Sequence, residues 1–238
     1  MKFTFVVMTE LSLSQRLLAQ RIYFILAALF ITSLVVSNLI FQKFFSWDFF
    51  GIYTFKISVG ILPYPITFLI TDIVSEIYGK KRANQVVTTG IFASVFSLLI
   101  IWVAASVPAL TDSPINDKLF LKVFGNSAIA VFASMMAYLL AQYIDIQIFH
   151  FWKRLTKGKH LWLRNNFSTF LSQFVDTFSV LFLLCSFEIL PWDIFTELLI
   201  SGFLFKVLIA ALDTPLLYAA VFAMRKYFNL TPTKELEI

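Results

Sequence analysis

Asp72, Glu76, Asp145, Asp176, Lys206 and Asp213 each stand within or at the end of a run of apolar residues, where an ionised side chain is costly. Placing an Asp or Lys at the centre of a bilayer-spanning helix costs roughly 2.5–3.5 kcal/mol. Each Leu or Phe offsets only about 0.3–0.6 kcal/mol of that. Such groups therefore turn towards one another or towards a water-filled cavity. The chemistry open to them is recognition of a polar solute edge, ion pairing and proton transfer. Gln173 lies one turn from Asp176, Gln142 one turn from Asp145, and Asn38 interrupts the first apolar run.

Other chemistry is poorly supplied. His150 and His160 are the only histidines and have no metal-ligand spacing. The single cysteine, Cys185, has only Glu188 near it in sequence, so a disulfide, a metal set and a nucleophile–base pair are not expected. A GxxxxGK[ST] phosphate loop is absent, which argues against ATP hydrolysis by this chain. The expectation is a protein that is not an enzyme and uses no cofactor or metal.

The elements that must position these residues are membrane spans. Hydrophobic residues make up 59% of the 238 residues and charged residues 14%, with a mean hydropathy of +0.83. A soluble domain carries about 25% charged residues. Apolar runs of the length that crosses a bilayer predict spans at Ile22–Phe41, about Ile66–Tyr78, Val86–Val107, Ser127–Phe149, Phe167–Phe187 and Leu198–Met224. The second is short, and Pro63 and Pro65 discourage helix before it; it crosses only if Ile57–Leu62 also enters the membrane. The N-terminal stretch Phe3–Met8 is shorter than a signal-peptide core.

Charge alternation tests this division. Lys2, Arg16 and Arg21, then Lys80–Arg82, then Lys153, Arg154, Lys157, Lys159 and Arg164, then Arg225, Lys226 and Lys234 all fall on one side: 14 of the 19 basic residues. The positive-inside rule makes that side cytoplasmic, so an all-α bundle of six transmembrane helices with both ends inside is predicted. Residues 1–21 form a cytoplasmic segment, 22–227 a single transmembrane domain and 228–238 a cytoplasmic tail. The net charge of +5 gathers at helix ends, where it meets lipid headgroups; nucleic acid is not an expected partner.

Counting about 1.5 Å per residue from the inner basic residues puts Asp72 and Asp145 about 12 Å deep, and Asp176 and Asp213 about 18 Å deep, near mid-membrane. Lys206 lies seven residues further out than Asp213 on the same face. It could serve only as a packing partner for Asp176 or Asp213. Asp145 and Glu76, near the inner loops, suit a topological or snorkelling role equally well. Pro215 frees the Ala211 carbonyl and predicts a kink beside Asp213. The aromatic outer segment 42–65 reads either as a lid or as an interfacial belt.

Three segments resemble a known family. YPITFLITDIVSEIYGKKRA (Tyr64–Ala83) resembles the Pro-, Asp-, Glu- and Gly-containing signature of the vitamin uptake transporter group, the queuosine-precursor transporters. LSQFVDTFSVLF (Leu171–Phe182) is similar to the group's Gln-x-x-Asp-[ST] segment, and FKVLIAALDTPLLY (Phe205–Tyr218) to its last helix, with a Lys and a closing T-P-x-x-Y. The likeness runs from about Ile22 to Tyr227. Asp213 departs from it, since an uncharged residue is expected there.

The resemblance implies an inner-membrane importer of 7-cyano-7-deazaguanine, 7-aminomethyl-7-deazaguanine or queuine for tRNA modification. It also implies a fold similar to the substrate-binding membrane subunits of energy-coupling-factor importers. A guanine-like edge presents N1–H and an exocyclic amine, which one carboxylate accepts as a bidentate pair. Asp176 is the expected carboxylate, with Gln173 donating to the ring carbonyl and aromatic side chains stacking on the base. Asp72, Lys206, Asn38, Glu76 and Asp213 complete the candidate set. Another purine or vitamin as solute, a subunit working with a separate ATPase, a second copy of the chain as partner, and proton-driven or facilitated transport all remain open on these residues.

Overall fold

The computed structural model describes residues 11–125, 128–157, 159–188, 190–231 and 234–236. The short apolar stretch Phe3–Met8 lies outside them, as do Ser127 at the expected start of span four and parts of the C-terminal tail. Helices α1 (Leu13–Ile40), α2 (Tyr64–Ile77), α3 (Gly79–Ser106), α5 (Ala128–Leu155), α6 (Leu161–Ser186) and α7 (Phe195–Tyr227) dominate; α4 (Asp117–Phe120) is a short outer turn. Among the described residues, five helical stretches are long and apolar enough to cross a membrane: α1, Val59–Ile77, α3, α6 and Trp192–Tyr227. Helix α5, with 28 residues, is as long as α1 and α3.

Span two becomes long enough in the way its sequence required. A 3-10 turn, Val59–Ile61, precedes α2, and together they make a stretch of 19 residues. Pro65 sits in the first turn of α2, where its missing N–H leaves no intrahelical bond unmade. This stretch is 67% buried, against 22% for α3 and 17% for the α7 stretch. Helix α2 is thus the axis of the molecule, in contact with α1, α3, α5 and α7. Its Tyr64, Phe68, Val74 and Ile77 form one core with Phe30 and Leu34 of α1, Val86 of α3, Tyr138 and Phe149 of α5 and Leu217 of α7. Lipid is as apolar as this core, so close packing and not water exclusion must hold it. Gly90 illustrates the fit: a Cβ there would lie 2.7 Å from the Phe30 ring.

The outer helices carry Phe92, Phe96, Leu99 and Trp102 on α3, and Phe167, Phe170, Phe174, Phe178 and Phe182 on α6, all exposed. Repeating every three or four residues, they make continuous apolar faces suited to lipid tails. Helix α7 continues through Pro215.

Among the described residues, the one non-helical element is a hairpin. Strands β1 (Phe44–Phe49) and β2 (Tyr53–Ser58) pair antiparallel, with Phe44 opposite Ser58 and Phe49 opposite Tyr53. Phe50 (φ 53°) and Gly51 (φ 70°) close the hairpin in the left-handed region, as the twist of paired strands favours. Asp48 Oδ2 accepts from Gly51 N at 3.1 Å. At the opposite end Gly79 (φ 82°) makes the sharp joint between α2 and α3. The tail returns there: Leu236 N donates to Ile77 O at 2.7 Å, and Leu236 is buried.

Candidate functional site

Beneath the hairpin lies a cavity of about 140 Å³. Its walls are apolar, from Val180, Leu181 and Leu184 of α6 and Leu198 of α7; Phe44, Ile57 and Gly60 roof it, and Asn38 flanks it. Its floor is charged. Lys206 Nζ lies 2.5 Å from Asp176 Oδ2 and donates to Thr177 Oγ1 at 3.0 Å. Tyr64 OH donates to Asp176 Oδ1 at 2.7 Å, and the Lys206 ammonium sits 4.7 Å from the centre of the Tyr64 ring. Asp176 and Lys206 are 3% and 7% exposed. A buried pair of this kind holds only while both partners are present and hydrogen bonded.

The roof is clasped to α7. Phe55 and Ile57 pack on Phe205, Tyr53 OH and Ser201 Oγ are 2.8 Å apart, and Lys56 Nζ is 2.7 Å from Glu197 Oε1. The hydrogen bond to Glu197 and its negative charge raise the pKa of Lys56 above the ordinary lysine value. Ser58 Oγ donates to Phe41 O and Val59 N to Lys43 O, tying the hairpin's base to the end of α1.

A second, much smaller cavity of about 20 Å³ lies on the far side of Lys206, lined by Phe68, Asp72, Thr169, Gln173, Lys206 and Asp213 among others. Lys206 borders both cavities and forms part of the partition between them. The candidate residues therefore divide. Asp176, Lys206 and Asn38 face the outer cavity; Gln173, Asp72 and Asp213, with Lys206, face the inner one.

Glu76 lines neither. Its Oε1 accepts from Arg225 Nη2 at 2.5 Å and its Oε2 lies 3.8 Å from Lys153 Nζ. Lys153 also reaches Glu235 Oε1 of the tail at 2.8 Å. This cluster joins α2, α5, α7 and the tail at the inner end. Of the two partners open to Lys206, the structure pairs it with Asp176.

Tyr64 and Thr177 escaped the reading of the sequence, although Tyr64 opens the most specific motif. Asp145, which by sequence suited a topological role equally well, is fully buried and accepts from Ser172 Oγ at 2.9 Å. Its one available signal was the matched depth of Asp72 and Asp145. Among the described residues no group of three or more His, Cys, Asp or Glu could hold a metal ion.

Apolar-faced helices around a buried, charged floor under an apolar roof are the build of a multi-pass membrane protein with a cavity for a polar solute. Residues 58–220 match the family described as "Putative vitamin uptake transporter", and the chain belongs to that family. It is 29% identical over 167 residues to the "Probable queuosine precursor transporter" of Bacillus subtilis (strain 168), covering 68% of this chain and 71% of the relative. To the "Queuosine precursor transporter" of Escherichia coli (strain K12) it is 28% identical over 169 residues, covering 66% and 68%. No solved structure matches.

Proposed function

We propose that the protein imports queuosine precursors, 7-cyano-7-deazaguanine and 7-aminomethyl-7-deazaguanine, across a bacterial inner membrane, and that the cavity beneath the hairpin receives them. The observation that carries this reading is the Asp176–Lys206–Tyr64 floor under apolar walls. Such a cavity suits a flat heterocycle with a polar edge. Asp176 accepts N1–H and the exocyclic amine as a charge-assisted pair, displacing Tyr64 or Lys206. Asn38 approaches from α1, and Tyr64 and Phe44 offer ring faces for stacking. A cavity of about 150 Å³ admits benzene, so a two-ring base requires the hairpin to lift, which gives it the role of a lid.

Gln173 and Asp72 come into play on the inner side, once Lys206 moves and the partition opens; Asp213 borders the same path. Glu76 acts by fastening helices. The basic residues at one set of helix ends support six spans with both termini in the cytoplasm, α5 being the sixth, and a bundle like that of energy-coupling-factor substrate subunits. The test is uptake of labelled 7-cyano-7-deazaguanine, and recovery of queuosine in tRNA, in a strain unable to make the precursor. Wild-type protein restores both, while Asp176→Asn and Asp176→Ala do not; wild-type uptake by both variants would sink the assignment. Competition by guanine, biotin or riboflavin would instead indicate a different heterocycle.

A further inference from the structure

The polar groups that the outer cavity leaves unused gather further in, between α2, α5 and α6. Asp72 is 3% exposed and Asp145 is 0% exposed; Asp72 lines the inner cavity with Thr169 of α6 and Asp145 meets Ser172, one turn along the same helix, so both carboxyl groups face the same stretch of α6. Ser172 Oγ donates to Asp145 Oδ1. Asp72 Oδ1 and Asp145 Oδ2, by contrast, are buried acceptors with no hydrogen-bond partner among the described residues. Gln173, itself 3% exposed, borders the inner cavity beside Asp72, and its Oε1 is likewise unpartnered.

The charges around this pair do not neutralise it. On α2, Glu76 is another acid, engaged by Arg225 and Lys153. On α7, Lys206 faces the same small cavity but is paired with Asp176, and Asp213 adds a further acid. On α5, Tyr138 carries a phenol, Tyr143 meets Thr88 of α3 at 2.7 Å, His150 is buried, and Lys153 is engaged by Glu76 and Glu235. On α6, Ser168, Thr169 and Ser172 are neutral, and Asp176 is held by Lys206. Two adjacent carboxylates in an apolar interior cannot both stay ionised, because each is poorly solvated and each repels the other. Carboxyl groups gathered in one apolar interior can share a single proton.

We propose that Asp72 and Asp145 form a proton-binding site linked to the solute site through Lys206. The proton and the Lys206 ammonium are alternative counter-charges for the pair. When solute takes Asp176, Lys206 is released towards the inner cavity; its arrival there displaces the shared proton to solvent. Solute binding therefore releases a proton, and affinity rises with pH. The linkage rests on the importer reading, whereas occupancy of the pair does not.

Two measurements on the full chain in lipid nanodiscs separate these. Infrared spectroscopy at neutral pH is expected to show the carbonyl stretch of a protonated carboxylic acid, shifted in both Asp72→Asn and Asp145→Asn and unmoved in Asp213→Asn. Its absence from the wild-type protein, an unmoved band in Asp145→Asn or a shifted band in Asp213→Asn would overturn the site. Should the Asn variants fail to fold, Ser172→Ala keeps both carboxyls and is expected to shift the band; an unmoved band would place the proton elsewhere. Binding of 7-cyano-7-deazaguanine is expected to tighten by up to about tenfold per pH unit, as for one linked proton, and to lose that dependence in Asp145→Asn. Affinity flat with pH but dependent on sodium would refute the proton linkage. No binding at any pH, with the infrared band intact, would refute the importer reading alone and leave the proton site supported.

Discussion

Two clusters of buried charge tie this bundle together, one at mid-depth and one at its inner end, and they are built to different plans. At the inner end, Glu76 is held by both Arg225 and Lys153, and Lys153 is held in turn by Glu235 of the tail. Four segments meet there, and the cluster borders neither of the two cavities that carry the candidate residues. At mid-depth, Asp176 and Lys206 form a single pair supported by Tyr64 and Thr177, and it floors a cavity. The first arrangement has redundant partners and resists exchange. The second has one cation for one anion, next to open space, so a solute that supplies its own donors can compete for the carboxylate.

The comparison is broken most severely at Asp176. Asp176→Ala leaves Lys206 buried without its counter-charge, and removing one partner of such a pair costs about 3–5 kcal/mol. Uptake is expected to vanish and thermal unfolding in detergent to begin markedly earlier. The reciprocal exchange Asp176→Lys with Lys206→Asp should recover much of the stability and none of the uptake, because the carboxylate then hangs from α7. Recovery of transport by that exchange would show that the pair is only a packing device.

Glu76→Gln probes the other plan. It weakens the charge-assisted hydrogen bond from Arg225, worth about 1.5–3 kcal/mol, and removes the ion pair with Lys153, so the melting temperature falls. Solute affinity in the folded fraction should hold, and a large loss of affinity would place Glu76 in the solute path.

Gly60→Ala is a smaller perturbation confined to the roof. Its Cβ would lie 2.6 Å from Ser37 O and 2.8 Å from Phe41 Cβ, an overpacking that costs about 1–3 kcal/mol. Because the contact includes backbone, α1 and the hairpin base must separate, and solute should dissociate faster. The least disruptive change is Lys56→Ala, which removes an exposed clasp to Glu197. Melting should scarcely move, while the solute dissociation rate rises modestly in stopped-flow measurements; an unchanged rate would mean that the hairpin is not a lid.

Much of this architecture was legible in the sequence. Ionisable residues stood out against apolar runs, and the Tyr64–Ala83 motif pointed to the family. The need for residues before Pro63 to complete span two was also readable, and Val59–Ile61 supplies them. The hairpin was visible only as an aromatic, strand-prone segment, since its pairing register depends on Phe55 and Ile57 finding Phe205 on α7. For the cytoplasmic tail the sequence carried no packing signal: Leu236 packs into the core and Glu235 fills the space beside Gly79.

The sequence by itself determined the order of the charged residues along each helix, and the known helix rise turns that order into an expected depth. It placed Asp72 level with Asp145 and Asp176 near the middle. Only the tertiary structure decided pairing, which depends on how each helix is rotated and how closely it packs on its neighbours. Those rotations give Lys206 to Asp176 on another helix and not to Asp213 on its own, bring Tyr64 under the same carboxylate, and turn Asp72 and Asp145 into the interior towards α6.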